Sequence, residues 1–413
     1  MIRARGALST EAMLLRPVLL LALLVLVLSA CDRTPSRSGV GDASPSPVAT
    51  AGPSPSSSSS PSSSPSSSEA SSALTDRSFV DLVERLSEPD RRFFSDNHVS
   101  NETSYLHVAG GLARHAGQGG AYLGVGPEQN FSYIAMLGPR LAFIVDIRRE
   151  NMILHLLYRA IFRRATSRSH FLALLLGRPH DAASDPGEGA SIEDVIKHAC
   201  KLPADAKAFA AIHLELVRRV QEAFALDAGD RKSLDAAHRA FFKGQLDLRF
   251  ELLQKNGRAY PPLRDLLAAT DLAGNKAGFL ASEGAFRLVQ AMQRENRIVP
   301  LVGDFAGERA LPGVAALLRE RGLTLSAFYV SNVEQYLFEG GAWARWVKNV
   351  EALPTDDRSL FIRAYLDQGK RHPRQQEGHR TATLLQRMTD FRARHASKPY
   401  TTWWDVSTDQ GLD

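Results

Sequence analysis

The chain has 413 residues, 44% of them hydrophobic and 23% charged, which is the balance of a globular protein. Lys and Arg number 50 against 45 Asp and Glu, and the formal charge of +5 is too slight over this length to indicate a nucleic-acid partner. The 2 cysteines, Cys31 and Cys200, give no reason to expect an internal disulfide, because Cys31 has a separate use described below.

The chain opens with Arg3, Arg5 and Arg16, followed by the apolar run VLLLALLVLVLSA at 18–30 and then Cys31. A basic region, a short apolar core and a small-residue exit are the parts of a secretory signal peptide over residues 1–30. The core is shorter than the roughly 20 apolar residues of a membrane-spanning helix. Leu28-Ser29-Ala30-Cys31 resembles the lipobox of bacterial lipoproteins. That resemblance implies cleavage before Cys31, lipidation of its thiol, and an exported protein anchored to a membrane of the cell envelope. Residues 32–73 are Ser/Pro low complexity with little that could pack, so 31–73 reads as the lipidated cysteine and a disordered, extended tether.

Folding begins near Leu74. Phe79, Val80, Leu82, Val83 and Leu86 share a helical face that ends at Glu88-Pro89. Asp96, Asn97, Ser100, Asn101 and Glu102 form a dense polar cluster that suits either the mouth of a pocket or turn chemistry, with Ser100 or Asn101 as a helix cap. Ala121–Leu123 is a short apolar strand leading into Gly124-Val125-Gly126-Pro127. Two glycines permit a sharp turn and close approach of a ligand, and Pro127 suits the first turn of a helix. A helix carrying Phe131, Ile134 and Ala135 stops at Gly138-Pro139. Leu141–Val145 is a continuous apolar run, as in a strand buried on both faces, and it ends in Asp146, 20 positions after Gly126. An acid at that distance can accept hydrogen bonds from a ribose diol.

Residues 147–165 read as an amphipathic helix covering the sheet, and the pattern stays helical from about 166 to 295. This is a large helical insertion between the second and third strands. Arg148, Arg149, Arg159, Arg163, Arg164 and Arg168 form a basic stretch expected to be a solvated face. His155, His198, His213 and His238 lack metal-ligand spacing, so no metal site is expected. Cys200 reads as a small buried residue rather than a nucleophile.

The sheet pattern resumes at 296–307 with an apolar strand ending in Gly303-Asp304, then a crossover helix at 311–322. The next strand, at 325–338, runs into Ser331-Asn332, and a helix follows at 341–353. SLFIRAYL (359–366) is a fifth strand, TATLLQRMTDFRARHA a C-terminal helix, and YTTWWDVS a possible edge strand. Alternating strands and helices define an α/β fold with a doubly wound, mostly parallel sheet over residues 74–413. Gly124, Asp146, Asp304 and Asn332 all fall at carboxyl ends of strands, where such sheets bind ligands.

The segment GAYLGVGPEQNFSYIAMLGPRLAFIVDI (120–147) resembles the cofactor half of Rossmann-like, S-adenosylmethionine (SAM) dependent methyltransferases. Together with DNHVSNETSYLHV (96–108) it is similar to an uncharacterised bacterial lipoprotein family with methyltransferase-like folds. The resemblance implies Gly124 and Gly126 against the cofactor, Asp146 on the ribose and Asp304 on the adenine. It also implies Asn332 and Glu334 as groups orienting or deprotonating an unknown small-molecule or protein acceptor, with Tyr336 walling it. The sequence departs from that pattern: Tyr122 stands where an acid is usual, Glu128 where a third glycine is common, and only the Asn and the aromatic of the fourth-strand motif survive. Export also separates the domain from SAM made in the cytoplasm. The alternative is a non-enzymatic binding or scaffold lipoprotein on a degenerate methyltransferase fold. A nicotinamide site is a weaker third reading, because Gln129 replaces the last glycine of Gly-x-Gly-x-x-Gly.

Overall fold

The computed structural model describes residues 73–252, 258–409 and 412. Residues 1–72, which hold the stretch read as a signal peptide, Cys31 and nearly all of the Ser/Pro stretch read as a tether, lie outside the described residues. Thr75 caps the first helix, Asp76–Leu86, by accepting from the Ser78 N–H, and Phe79, Leu82, Val83 and Leu86 face inward. No helix among the described residues is long and apolar enough to cross a membrane.

Six strands build the main sheet: β1 (Ala121–Gly124), β2 (Leu141–Asp146), β3 (Ile298–Val302), β4 (Leu325–Ser331), β5 (Leu360–Leu366) and β6 (Thr381–Arg387). Their spatial order is β3-β2-β1-β4-β5-β6. The first five run parallel, and β6 is antiparallel to β5 in the register Leu360↔Arg387 to Leu366↔Thr381. β1, β2 and β3 are buried at every position, which explains their uninterrupted apolar sequences. This is a Rossmann-like doubly wound α/β fold. The order reverses between β1 and β4, so the crevice at their carboxyl ends is the switch point.

The chain between β2 and β3 is mostly helical: Arg149–Arg164 covers the sheet, followed by Arg168–Leu175, Ile192–Ala199, Ala206–Gln221, Ala228–Gly244, Leu263–Leu267 and Glu283–Arg294. Aromatic rings bind these helices to one another and to the helix after β1, Gln129–Leu137. Phe162 meets Phe131 at 5.2 Å, Phe171 at 4.3 Å and Phe286 at 5.8 Å. Inside this region Glu251–Leu252 pairs antiparallel with Ser95–Asp96 in a two-residue ribbon, so the insertion is not wholly helical.

Four local expectations are corrected. The strand expected over 325–338 ends at Ser331, and Val333–Glu339 is a helix. Thr381–Arg387 is a strand, with the helix starting only at Met388, because the run completes the ladder along β5. Trp403–Thr408 is a helix rather than an edge strand, fixed by a capping box between Thr402 and Asp405. The basic stretch is not a solvated face. Arg148, Arg159 and Arg168 are buried, and their guanidinium groups are paired with Asp146, Asp76 and Glu283 respectively.

Candidate site at the switch point

Residues 88–104 form a strap laid across the carboxyl edge of the sheet. The Glu88 N–H donates to the Val302 carbonyl at the end of β3, and the Arg91 N–H to the Ile147 carbonyl after β2, each at 2.8 Å. The Ser100 N–H donates to Glu128 Oε1 after β1 at 3.1 Å. Glu102 accepts from the Tyr329 and Ser331 hydroxyls on β4. Ser104 shares its hydroxyl with Thr381 and Thr383 on β6 at 2.7 and 3.0 Å. Neither Ser100 nor Asn101 caps a helix, since the next helix is Ala109–His115. The Ser100 hydroxyl instead accepts from the Glu102 N–H at 3.1 Å.

The glycine turn is stapled from within. Asn130 Nδ2 donates to the carbonyls of Val125, Gly126 and Pro127 at 2.9, 3.3 and 2.8 Å, while the Tyr122 hydroxyl donates to Asn130 Oδ1 at 2.8 Å. A Cβ on Gly124 would stand 2.0 Å from that Oδ1. Gly126 differs: its φ of +76° favours glycine, and no atom lies within 4 Å of where a Cβ would stand. His155 Nε2 lies 2.9 Å from the Gly126 carbonyl, and burial pushes its imidazole down to about 4.

The later strand ends carry acids already engaged. Asp146 is gripped by Arg148 through Nε at 3.0 Å and Nη2 at 2.8 Å, a bidentate pair with both side chains buried. Asp304 Oδ2 accepts from Arg91 Nη1 at 2.7 Å. Glu88 fills the anion-binding position at the next helix start, accepting from the backbone N–H of Asp304, Arg309 and Ala310 at 3.0, 2.8 and 2.8 Å. Glu334 is wholly buried and bound by Arg363 and by Trp346 Nε1 at 3.1 Å. That places its carboxylate in a buried ion pair with Arg363. Tyr336 packs edge-on against Phe93 and Phe94 of the strap at 5.4 and 5.8 Å, and burial raises its phenol. Ser331 adopts φ +50°, a strained value for a non-glycine residue, at the point where β4 turns into Asn332.

A different set converges under the strap. Glu102 and Glu128 are 1% and 6% exposed, and among the described residues no Lys, Arg or His pairs with either. Burial pushes both carboxyls up to about 7, and the charge of Glu102 adds to the rise at Glu128. Gln129 Nε2 donates to the Tyr329 hydroxyl at 2.6 Å, which in turn donates to Glu102 Oε1. Four polar atoms of this set are buried without a partner: Glu102 Oε2, Glu128 Oε2, Gln129 Oε1 and Asn332 Nδ2. Glu128 and Gln129 border a cavity of about 10 Å³, room for one water-sized group, closed by Leu267 and Phe279 of the insertion. Beyond the strap lies a cavity of about 500 Å³, lined by Thr103, His107, Tyr260, His379 and Thr381.

So the structure brings Gly124, Gly126 and Asn332 to the crevice as the sequence suggests, with Asp146 and Asp304 at the neighbouring strand ends. It adds Glu102 and Glu128, whose role sequence reasoning missed. Their signal was present: Glu102 belongs to the polar cluster before β1, and Glu128 stands where a third glycine is common. The fold and crevice define a Rossmann-like α/β domain with a covered carboxyl edge. The chain belongs to the family described as a domain of unknown function (DUF7790), which it matches over residues 98–186 and 206–409. A comparison with curated proteins finds no match.

Proposed function

We propose that this is a ligand-binding domain whose ligand enters the crevice between β1 and β4 and offers hydrogen-bond donors, as an ammonium or a set of hydroxyls. The observation that carries this reading is the unpaired, buried trio Glu102 Oε2, Glu128 Oε2 and Gln129 Oε1 at the switch point. A buried carboxylate with no cation beside it and one oxygen left without a donor costs free energy, which accords with carboxyls pushed up to about 7. A ligand bringing donors recovers that cost on binding. The lipobox-like Leu28-Ser29-Ala30-Cys31 supports placing this domain on an envelope membrane through a lipidated Cys31.

SAM-dependent methyl transfer is the enzymatic form of the same reading, favoured by the strand order and by the glycine turn. SAM carries both an ammonium and ribose hydroxyls. Against it, Asp146, Asp304 and the space over Gly124 are engaged by Arg148, Arg91 and Asn130, and Glu334 is engaged by Arg363. Asn332 and Tyr336 are then the groups left to face an acceptor. Calorimetry and thermal shift of the chain with SAM, S-adenosylhomocysteine, NAD and spermidine test the proposal. Binding of SAM and its demethylated product, weakened by Glu102→Gln, selects the cofactor form. Spermidine alone selects the non-enzymatic form, and NAD alone the nicotinamide reading. No shift with any of them at millimolar concentration counts against a donor-bearing ligand of these classes.

A further inference from the structure

Away from the crevice, the insertion gathers nitrogen and oxygen ligands around the loop between helices Arg168–Leu175 and Ile192–Ala199. His180 Nε2 lies 3.1 Å from Asp185 Oδ2. His198, near the end of the second helix, sets its ring edge-on to His180 with centroids 5.2 Å apart. One ligand atom from each of the three residues lies within 4.8 Å of the other two.

We propose that His180, Asp185 and His198 form a site for a divalent transition metal of the zinc class, which clips the loop to the helix. Two imidazoles and one carboxylate are a zinc donor set, with a fourth position left to solvent. Zinc bonds of about 2.0–2.1 Å set tetrahedral ligand atoms roughly 3.4 Å apart. The His180–Asp185 pair already has that spacing, and His198 closes by a small rotation of a ring whose Nδ1 is buried without a partner.

The supporting groups are also built. The hydroxyls of Ser167 and Ser169 donate to Asp185 Oδ2 at 2.5 and 2.6 Å, and the Gly187 N–H donates to Oδ1 at 3.0 Å, which fixes the carboxylate. Arg168 is 1% exposed and donates to the carbonyls of Gly187, Glu188 and Ala190, so the loop bearing Asp185 is rigid. The Asp185 side chain keeps 20% exposure, enough for an ion to enter from solvent. Lys201, close in sequence to His198, is paired with Asp181 at 2.9 Å. His198 falls in the stretch between the two matched family segments, so the site rests partly on residues outside the family match. The sequence hides it because the ligands come from a loop and a separate helix, without a repeated short spacing.

The test uses the full chain, purified without a polyhistidine tag and stripped with a chelator. Zn²⁺ is titrated by calorimetry, and Co²⁺ by the visible absorption of a tetrahedral complex. One equivalent of Zn²⁺ should bind and raise the unfolding midpoint. His198→Ala should weaken binding by about a hundredfold and Ser169→Ala by about tenfold, since supporting partners are worth 10–100-fold. The metal-free midpoint of His198→Ala should match that of the wild type, which separates ligand loss from misfolding. Absence of binding, or equal affinity in the wild type, His198→Ala and Asp185→Asn, overturns the site.

Discussion

Arg91 reaches Asp304 across 213 positions of sequence, closing the strap over the end of β3 with an Nη1–Oδ2 distance of 2.7 Å. Arg91 is 65% exposed and Asp304 14%. An exposed pair of this kind contributes about 0–1 kcal/mol. Arg91→Ala should therefore leave the unfolding midpoint nearly unchanged while loosening the strap locally. Hydrogen exchange of residues 88–104 should accelerate relative to the sheet. If exchange there stays as slow as in β2, the strap is held by its other contacts and does not act as a cover.

Glu334 and Arg363 present the opposite case. Both are almost fully buried, and the Arg363 guanidinium lies over the Phe361 ring at 4.3 Å. Removing one partner leaves an uncompensated buried charge, which costs about 3–5 kcal/mol. Arg363→Met alone should therefore be severely destabilised in urea unfolding, whereas Glu334→Leu combined with Arg363→Met should recover most of the loss. A single variant as stable as the wild type would be inconsistent with a structural ion pair and would return Glu334 to the candidates for chemistry.

The two glycines of the turn should respond differently to alanine. At Gly124 the new methyl would collide with Asn130 Oδ1 at 2.0 Å and with the Tyr122 ring at 2.8 Å. It breaks the staple that holds three carbonyls, so a loss above about 2 kcal/mol is expected. At Gly126 the methyl meets open space, and only the positive φ resists, at about 1–2 kcal/mol. Denaturant midpoints should rank wild type, Gly126→Ala, Gly124→Ala. The reverse ranking would mean that Asn130 does not hold the turn.

The sheet was legible because strands buried on both faces give unbroken apolar runs, as in Leu141–Val145, and glycine turns punctuate them. β6 was not, because Leu384, Leu385, Met388 and Phe391 also satisfy a helical spacing, and only pairing with β5 decides the matter. The Trp403 helix was hidden by its aromatic, strand-like composition, although Thr402 and Asp405 spelled out its cap. At the site, strand ends such as Asp146, Asp304 and Asn332 could be placed from element order alone. What covers the strand ends could not: Arg91, which holds Asp304, and Glu102, which holds Tyr329 and Ser331, arrive on a strap with no periodicity, and these contacts span more than 200 positions.

The buried carboxyls should make folding depend on pH in a definite direction. Glu102 and Glu128 bind protons more tightly when folded, with carboxyls pushed from 4.5 up to about 7. Their stabilising contribution is thus fully present below about pH 4.5 and fades as pH rises through 7. Each shift corresponds to a change on the order of 3 kcal/mol, and because the two interact they titrate as a pair. Buried histidines act in the opposite sense. His155 and His238 are pushed down to about 4, so they favour folding above their unfolded value of 6.5 and lose that contribution as pH falls toward 4. The wild-type curve mixes both effects, whereas the difference between the wild type and Glu102→Gln isolates the carboxyl. Glu102→Gln keeps the shape but cannot ionise. Relative to the wild type it should gain stability from about pH 5 to pH 7 in urea unfolding, with the difference levelling off above that. A difference independent of pH would show that Glu102 ionises normally in the folded chain, and the case for an unpaired carboxylate awaiting a donor would fail with it.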